Sequence, residues 1–190
     1  MAALAALAAA GATEAASRFI ASRFPTRPAA PDLLFELLPH VPGASYITLV
    51  TIAAIVLILA AHLIRTAPGR VPELITVVAV LYTLRAAMIV LTPLAHARDG
   101  SLITFPLFEN GLFPSGHTAV ALLLVWLTKR DEAGIGKVVA MALLPVMIVS
   151  MLLSRGHYSI DIVGGALLAY FVWREWTVGR LFDPLRRLVT

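Results

Sequence analysis

Residues Ala44–Ile64 read ASYITLVTIAAIVLILAAHLI and contain no Asp, Glu, Lys or Arg. A helix that crosses the hydrocarbon core of a bilayer needs roughly 20 mostly apolar residues, so this stretch predicts a membrane span. Three other runs approach the same length, and a fourth is shorter but apolar throughout. These runs are Pro72–Leu94, Ile135–Leu153, Tyr158–Trp176 and the shorter Ser115–Thr128. The pattern therefore predicts five spans.

The composition agrees with a membrane protein. Of the 190 residues, 59% are apolar and 14% are charged, against about 25% charged in an average soluble domain. A soluble globule of this size could not hide so much apolar surface. The chain has no cysteine, which excludes a disulfide-stabilised scaffold. We predict an all-α fold, a polytopic integral membrane helical bundle, and no nucleic-acid partner, since no basic stripe with interleaved aromatic residues occurs.

The N-terminal segment leaves two possibilities open. Residues 1–24 include eleven alanines, and alanine favours helix while contributing little to insertion. The segment is therefore either an amphipathic interfacial helix or a sixth span, and Asp32–Leu38 is expected to form a short helix at the membrane surface. We divide the chain into an N-terminal amphipathic or interfacial helical region at 1–43, a membrane catalytic bundle at 44–178 and a cytoplasmic basic tail at 179–190.

The distribution of basic residues predicts the orientation. Nine Lys and Arg residues fall on one side of the predicted spans, and this side is expected to be cytoplasmic. The nine are Arg65, Arg70, Lys129, Arg130, Lys137, Arg174, Arg180, Arg186 and Arg187. Trp126, Trp173 and Trp176 are expected to form an aromatic belt near the same face.

Polar and titratable residues gather at the opposite, non-cytoplasmic face. Charges within spans are costly and are functional candidates by default, and Arg85 and Asp161 are two of them. His157 and Asp161 stand at i and i+4, so on a helix they would share one face. Asp161 could then accept a hydrogen bond from one ring nitrogen of His157 and leave the other nitrogen free as a nucleophile.

A second polar cluster is FPSGHT, at Phe113–Thr118. Pro114 and Ser115 are typical of a helix start, and Gly116 would let a ligand approach the backbone closely. The unpaired N–H groups of a helix N-terminus suit a phosphate. His117 would stand beside that phosphate as a proton donor.

Together these residues predict phosphoryl transfer through a phosphohistidine. Arg85 and Arg155 would neutralise the phosphate charge, with Ser115 and Gly116 beside it. No carboxylate cluster suited to a metal occurs, so we expect no metal and no cofactor.

Structural alternatives remain open for several of these residues. His157 and Asp161 could be a buried structural pair, Arg85 a snorkelling or interhelical residue, and Arg155 an interface anchor. Ser115 is expected to be a helix cap as well as a phosphate ligand. His96, Arg98 and Asp99 are expected to belong to a solvated outer loop.

At these motifs the chain resembles the type-2 phosphatidic acid phosphatase superfamily. FPSGHT is similar to the second motif of that superfamily, and SRGHYSID at Ser154–Asp161 is similar to the third. The third motif resembles the form found in the sphingomyelin synthase and inositol phosphorylceramide synthase branch, because only Gly156 separates the arginine from the histidine. Arg85, followed by Thr92 and Pro93, resembles that branch's first motif.

The resemblance implies a helical membrane enzyme that acts on a phospholipid within the lipid bilayer. It assigns His157 as the nucleophile, Asp161 as its orienting partner and His117 as the acid for the leaving group. Whether water or a lipid alcohol accepts the phosphoryl group stays open, since Glu109–Phe113 lacks the Cys-Gly-Asp stretch of animal sphingomyelin synthases. A catalytically silent lipid-binding or lipid-moving protein on the same scaffold is the alternative. The sequence leaves the oligomeric state unknown.

Overall fold

A computed structural model of the chain describes residues 1–95 and 113–188, without the side chains of 130–133. His96, Arg98, Asp99 and residues 109–112 lie outside the described part. Across the described ranges the chain forms helices joined by loops, which confirms the predicted all-α class. The helices are α1 (Ala2–Arg23), α2 (Leu33–Leu37), α3 (Ala44–Thr66), α4 (Val71–Leu91), α5 (Gly116–Leu127), α6 (Arg130–Leu153), α7 (Ser159–Thr177) and α8 (Asp183–Arg186).

Three of these helices are long and apolar enough to cross a membrane. They are α3, α4 together with the 3₁₀ turn before it, and the part of α6 from Gly134 onward. At Gly134 the backbone leaves the helical conformation with φ 48°. Helix α5 is apolar but only 12 residues long, and α7 carries Asp161, Arg174 and Glu175 within its 19 residues. Crossing by α5 and α7 therefore stays a prediction.

Local chemistry sets the helix ends that differ from the prediction. Helix α4 ends at Leu91 instead of Leu94, because Pro93 disfavours the helical conformation at the residue before it. Thr92 accordingly takes φ −135° and ψ 72°. The expected surface helix starts one residue later than predicted, because Asp32 is its N-cap and accepts a hydrogen bond from the backbone N–H of Leu34.

The alanine-rich helix α1 lies against α4. One face of α1 is buried at Ala9, Thr13, Ala16, Ser17 and Ile20, and its C-terminal part packs on the last turns of α4. Small side chains let two helices approach closely. The two helices run parallel, since the backbone N–H of Ala95, just beyond α4, donates to the carbonyl of Pro28, just beyond α1.

Helix α5 lies at the centre of the bundle. One buried cluster joins it to α3 and α6, and a second joins it to α4 and α7. Because neighbouring helices surround α5, its backbone is sheltered by protein despite its short length. The central helix therefore holds the FPSGHT motif at the middle of one end of the bundle.

Two of the three tryptophans predicted to form a belt contact each other at the surface. The ring centroids of Trp126 and Trp173 lie 5.8 Å apart. Trp176 does not belong with them, so that part of the prediction is wrong. It is only 2% exposed, and its indole N–H donates to Glu73 Oε1 at 3.0 Å. Burial is tolerated because its single polar atom has this partner.

Basic side chains bind the helix C-termini at the end of the bundle predicted to be cytoplasmic. Arg70 donates to the carbonyl of Leu127 at 3.2 Å, and Lys137 donates to that of Thr128 at 2.6 Å. Arg186 donates to the carbonyl of Trp176 at 2.9 Å. A cation suits the negative end of a helix dipole, so these predicted orientation residues also cap α5 and α7.

The opposite end of the bundle, called the site end below, collects the C-termini of α1, α4 and α6 and the N-termini of α3, α5 and α7. Three backbone hydrogen bonds join these segments. The Val41 N–H donates to the backbone carbonyl of Leu153 at 2.8 Å. The Ser115 N–H donates to the backbone carbonyl of Asp161 at 2.9 Å, and the Ala95 N–H to that of Pro28 at 3.2 Å. All the candidate catalytic residues lie at this end.

Candidate active site

His157 and Asp161 are in contact, but not on one helix face as predicted. Tyr158 is the N-cap of α7, so His157 precedes the helix. Asp161 Oδ2 accepts from the backbone N–H of Tyr158 at 2.9 Å and lies 3.3 Å from His157 Nδ1. The capping box turns the carboxylate back toward the residues before the helix, and that turn brings it to the imidazole.

His117 extends this contact into a chain of three groups. It is the second residue of α5, and its Nδ1 lies 3.4 Å from His157 Nε2. The two rings meet edge to face, with their centroids 5.6 Å apart. His157 is 6% exposed and Asp161 is fully buried, whereas His117 is exposed. One histidine therefore lies inside the protein on a carboxylate, and the other lies at the surface above it.

Asp161 also carries a buried oxygen, Oδ1, that the described part of the chain does not satisfy. No hydrogen-bond partner for Oδ1 occurs among the described residues. An ionised carboxylate left in this state is costly, and such groups call for an explanation such as a catalytic role. The observation weighs against His157 and Asp161 as a purely structural pair.

Arg85 reaches the start of α5 from α4. It is 5% exposed, and its Nε donates to the carbonyl of Pro114 at 2.8 Å. A Cβ at Gly116 would lie 3.1 Å from Arg85 Nε, so the missing side chain makes room for the guanidinium. A snorkelling arginine keeps its charged tip in water, so the burial of Arg85 excludes snorkelling, whereas its bond to Pro114 fits the interhelical alternative.

Ser115 connects the N-termini of α5 and α7, the two helices beside the histidines. Its hydroxyl caps α5 by accepting from the backbone N–H of Thr118 at 3.3 Å. Its own N–H donates to the carbonyl of Asp161 at 2.9 Å, and a Cβ at Gly165 of α7 would lie 2.5 Å from its carbonyl oxygen. The expected cap is confirmed, and this close approach holds the N-termini of α5 and α7 together.

Residues 111–178 match the family model described as PAP2 superfamily C-terminal. The matched region contains both histidines and Asp161, whereas Arg85 lies before it. The match supports the type-2 phosphatidic acid phosphatase superfamily and a phosphatase-type lipid phosphoesterase. It does not distinguish the sphingolipid synthase branch. No curated protein matches the chain.

Within the PAP2 match, Arg155 contacts another part of the chain. Its Nη2 donates to the carbonyl of Phe35 at 3.3 Å, and its guanidinium carbon lies 5.6 Å from the Phe35 ring centroid. The backbone of Arg155 has φ 51° and ends α6 in the position where glycine is usual. The described contacts attach Arg155 to α2 within the protein, and both the interface anchor and phosphate binding by Arg155 stay predictions.

Two further residues, Tyr158 and Asp32, were missed from the sequence as parts of the site. The Tyr158 hydroxyl accepts from Ala30 N–H at 3.2 Å and donates to the Ala95 carbonyl at 3.3 Å. Asp32 Oδ2 accepts from the backbone N–H of Ser159 at 2.5 Å. The aspartate was recognised as the start of a short helix, but no local spacing signals a contact 127 residues away.

Proposed function

We propose that the protein is an integral membrane lipid phosphatase that cleaves a phospholipid phosphoester through a phosphohistidine on His157. The observation that carries the proposal is the chain of contacts from Asp161 to His157 to His117, with separations of 3.3 and 3.4 Å. A base oriented by a buried carboxylate, with a second titratable group beside it, is the arrangement that nucleophilic catalysis requires.

The roles follow from the ring atoms. With its proton on Nδ1, His157 donates to Asp161 and keeps a lone pair on Nε2. Nε2 attacks phosphorus while the bond from phosphorus to the lipid oxygen breaks, and His117 gives that oxygen a proton. Water then attacks the phosphohistidine, His117 takes a proton from the water, and the P–N bond breaks to release phosphate and restore His157.

The contact between the two histidines has to open for this reaction. A nucleophile attacks from about 3–3.5 Å, so a phosphoryl group must enter where His117 Nδ1 now lies, 3.4 Å from Nε2. Because His117 is exposed at the surface and His157 is buried on Asp161, we expect His117 to be the ring that turns aside.

The start of α5 supports the phosphate-binding role. Arg85 lies against Gly116 there, and the N-terminus of a helix attracts anions. A guanidinium beside these N–H groups would stabilise the charge that develops on the phosphoryl oxygens. We assign Arg85, Ser115 and Gly116 to this role, with Arg155 as a further candidate.

The site is proposed to face away from the cytoplasm. Support comes from the nine Lys and Arg residues that flank the other ends of the predicted spans. The natural chain lacks cysteine, so single cysteines can report the orientation. In sealed cells, a membrane-impermeant maleimide should label Glu36→Cys and spare Arg187→Cys; the reverse pattern would refute this orientation.

The decisive experiment offers the purified protein phosphatidate and, separately, phosphatidylcholine with ceramide or diacylglycerol. Release of inorganic phosphate supports the phosphatase, and a new phospholipid would instead identify a lipid alcohol as the acceptor. His157→Gln should abolish either reaction. His40→Gln is the matched control, since His40 is exposed at the same end. Activity unaffected by His157→Gln, or absent from the native protein with every substrate, would overturn the proposal.

A further inference from the structure

Two carboxylates hold consecutive peptide N–H groups beside His157. Asp161 accepts from the N–H of Tyr158 at 2.9 Å, and Asp32 accepts from the N–H of Ser159 at 2.5 Å. Asp161 belongs to α7 itself, as the third residue of the helix. Asp32 comes from the loop before α2, in a distant part of the sequence. The backbone that follows the proposed nucleophile is therefore fixed from two independent directions.

Asp32 caps two helices at once. Its Oδ1 accepts from Leu34 N–H of α2 at 2.9 Å, while its Oδ2 serves Ser159, the first residue of α7. Most capping residues satisfy donors of one helix only. Asp32 is 9% exposed, so water cannot readily replace it at either helix. Each of its two carboxylate oxygens accepts a backbone hydrogen bond, one from each helix.

Asp32 lies in a segment, residues 30–35, that also contacts Arg155 and Tyr158 on either side of His157. The Tyr158 ring lies 5.6 Å from that of Phe35, and its hydroxyl accepts from Ala30 N–H. Arg155 donates to the Phe35 carbonyl. Residues 30–35 thus contact the chain on both sides of His157. Among these described contacts of residues 30–35, that of Asp32 involves the backbone of α7 itself.

We propose that Asp32 is a positioning residue, which holds the first turn of α7 and thereby keeps His157 in register with Asp161 and His117. This inference rests on the proposed function for its catalytic consequence. The physical reason is that a displacement of about 1 Å in a reacting group can cost on the order of 10²-fold in rate. Without Asp32, the peptide between Tyr158 and Ser159 can rotate, and His157 moves with it.

The test compares Asp32→Ala and Asp32→Asn with Glu36→Gln. Glu36 is the matched control, because it is an exposed acidic residue of α2. Turnover and KM for phosphatidate are measured per folded molecule, and hydrogen exchange is followed in the peptide that contains Ser159. Asp32→Ala should lower kcat about 10- to 100-fold with KM changed less than threefold, and should speed exchange there. Asp32→Asn keeps one carbonyl oxygen, so its kcat and its exchange rate should lie between those of Asp32→Ala and the native protein.

The outcomes separate this inference from the proposed function. If the native protein is inactive, the proposed function fails, while the exchange measurement still tests whether Asp32 holds α7. A purely structural role would lower the folded fraction but leave kcat per folded molecule within twofold, and that result would overturn the inference. Unchanged exchange at Ser159, or failure of both variants to fold, would overturn it as well.

Discussion

Replacing Gly165 by alanine should separate α5, which carries His117, from α7, which begins just after His157. A Cβ at this position would lie 2.5 Å from the carbonyl oxygen of Ser115, whereas an ordinary contact begins at 3.4 Å. The N-termini of α5 and α7 would have to move apart by about 0.9 Å, because the obstructing atom is backbone and cannot rotate away. His117 lies two residues beyond Ser115, so the shift passes directly to its 3.4 Å contact with His157.

The expected magnitudes follow from this displacement. Overpacking of this kind costs about 1–3 kcal/mol of stability, and a 1 Å misplacement at a reacting group costs roughly 10²-fold in turnover. Gly164→Ala should be milder, since its nearest obstacle at 2.6 Å is the ring of Phe113, a side chain that can give way. Gly11→Ala is the control for helix propensity, because it meets nothing within 4 Å in α1. The Gly11→Ala substitution should raise the free energy of unfolding by about 0.5–1 kcal/mol.

The assay combines thermal unfolding in detergent with phosphate release from phosphatidate, both normalised to folded protein. The expected order of activity places Gly11→Ala at the native level, Gly164→Ala below it and Gly165→Ala lowest. If Gly165→Ala matched Gly11→Ala in both stability and turnover, the close approach of α5 and α7 would not set the site geometry, and the reasoning would fail.

Three further substitutions test other parts of the molecule. Asp161→Asn should lower kcat at least about 10²-fold with little change in KM, because the amide no longer selects the productive His157 tautomer; equal turnover would contradict the assigned role. Arg155→Gly relieves the positive φ and should leave stability unchanged or raise it by up to about 1 kcal/mol. In the same variant the KM for phosphatidate should rise about tenfold, and an unchanged KM would leave Arg155 as an anchor only. Trp176→Phe leaves Glu73 Oε1 without its donor and should cost about 1–3 kcal/mol, with kcat unaltered at the distant site end; a fall in kcat would refute that separation.

The helices were predictable because their signals are local. Apolar runs and proline positions gave α3, α4 and α6 to within a few residues, and Asp32 marked the start of α2 correctly. The contact between His157 and Asp161 was also anticipated, although from the wrong geometry. Their spacing of four suits a helix face as well as it suits a capping box, and the choice depends on where α7 begins. That boundary is held by Asp32, which no local pattern connects to α7.

Other features depend on packing that a single stretch of sequence does not encode. Trp176 resembles an interfacial tryptophan, yet Glu73 of another helix supplies the partner that permits its burial. Arg155 resembles a phosphate ligand, yet α2 lies within its reach. Gly165 lets α7 approach α5 closely, and the atom that it accommodates, the Ser115 carbonyl oxygen, belongs to a distant part of the sequence.

The bond between Asp32 and Ser159 also has a consequence for the order of synthesis. Its partners are separated by 127 residues. Because a chain is synthesised at about 5–20 residues per second, Ser159 is made on the order of ten seconds after Asp32. During that interval α2 exists without α7, and neither His157 nor Asp161 has been made. Under the proposed function, the chain therefore has neither its nucleophile nor the orienting carboxylate until the start of its last long helix has been made.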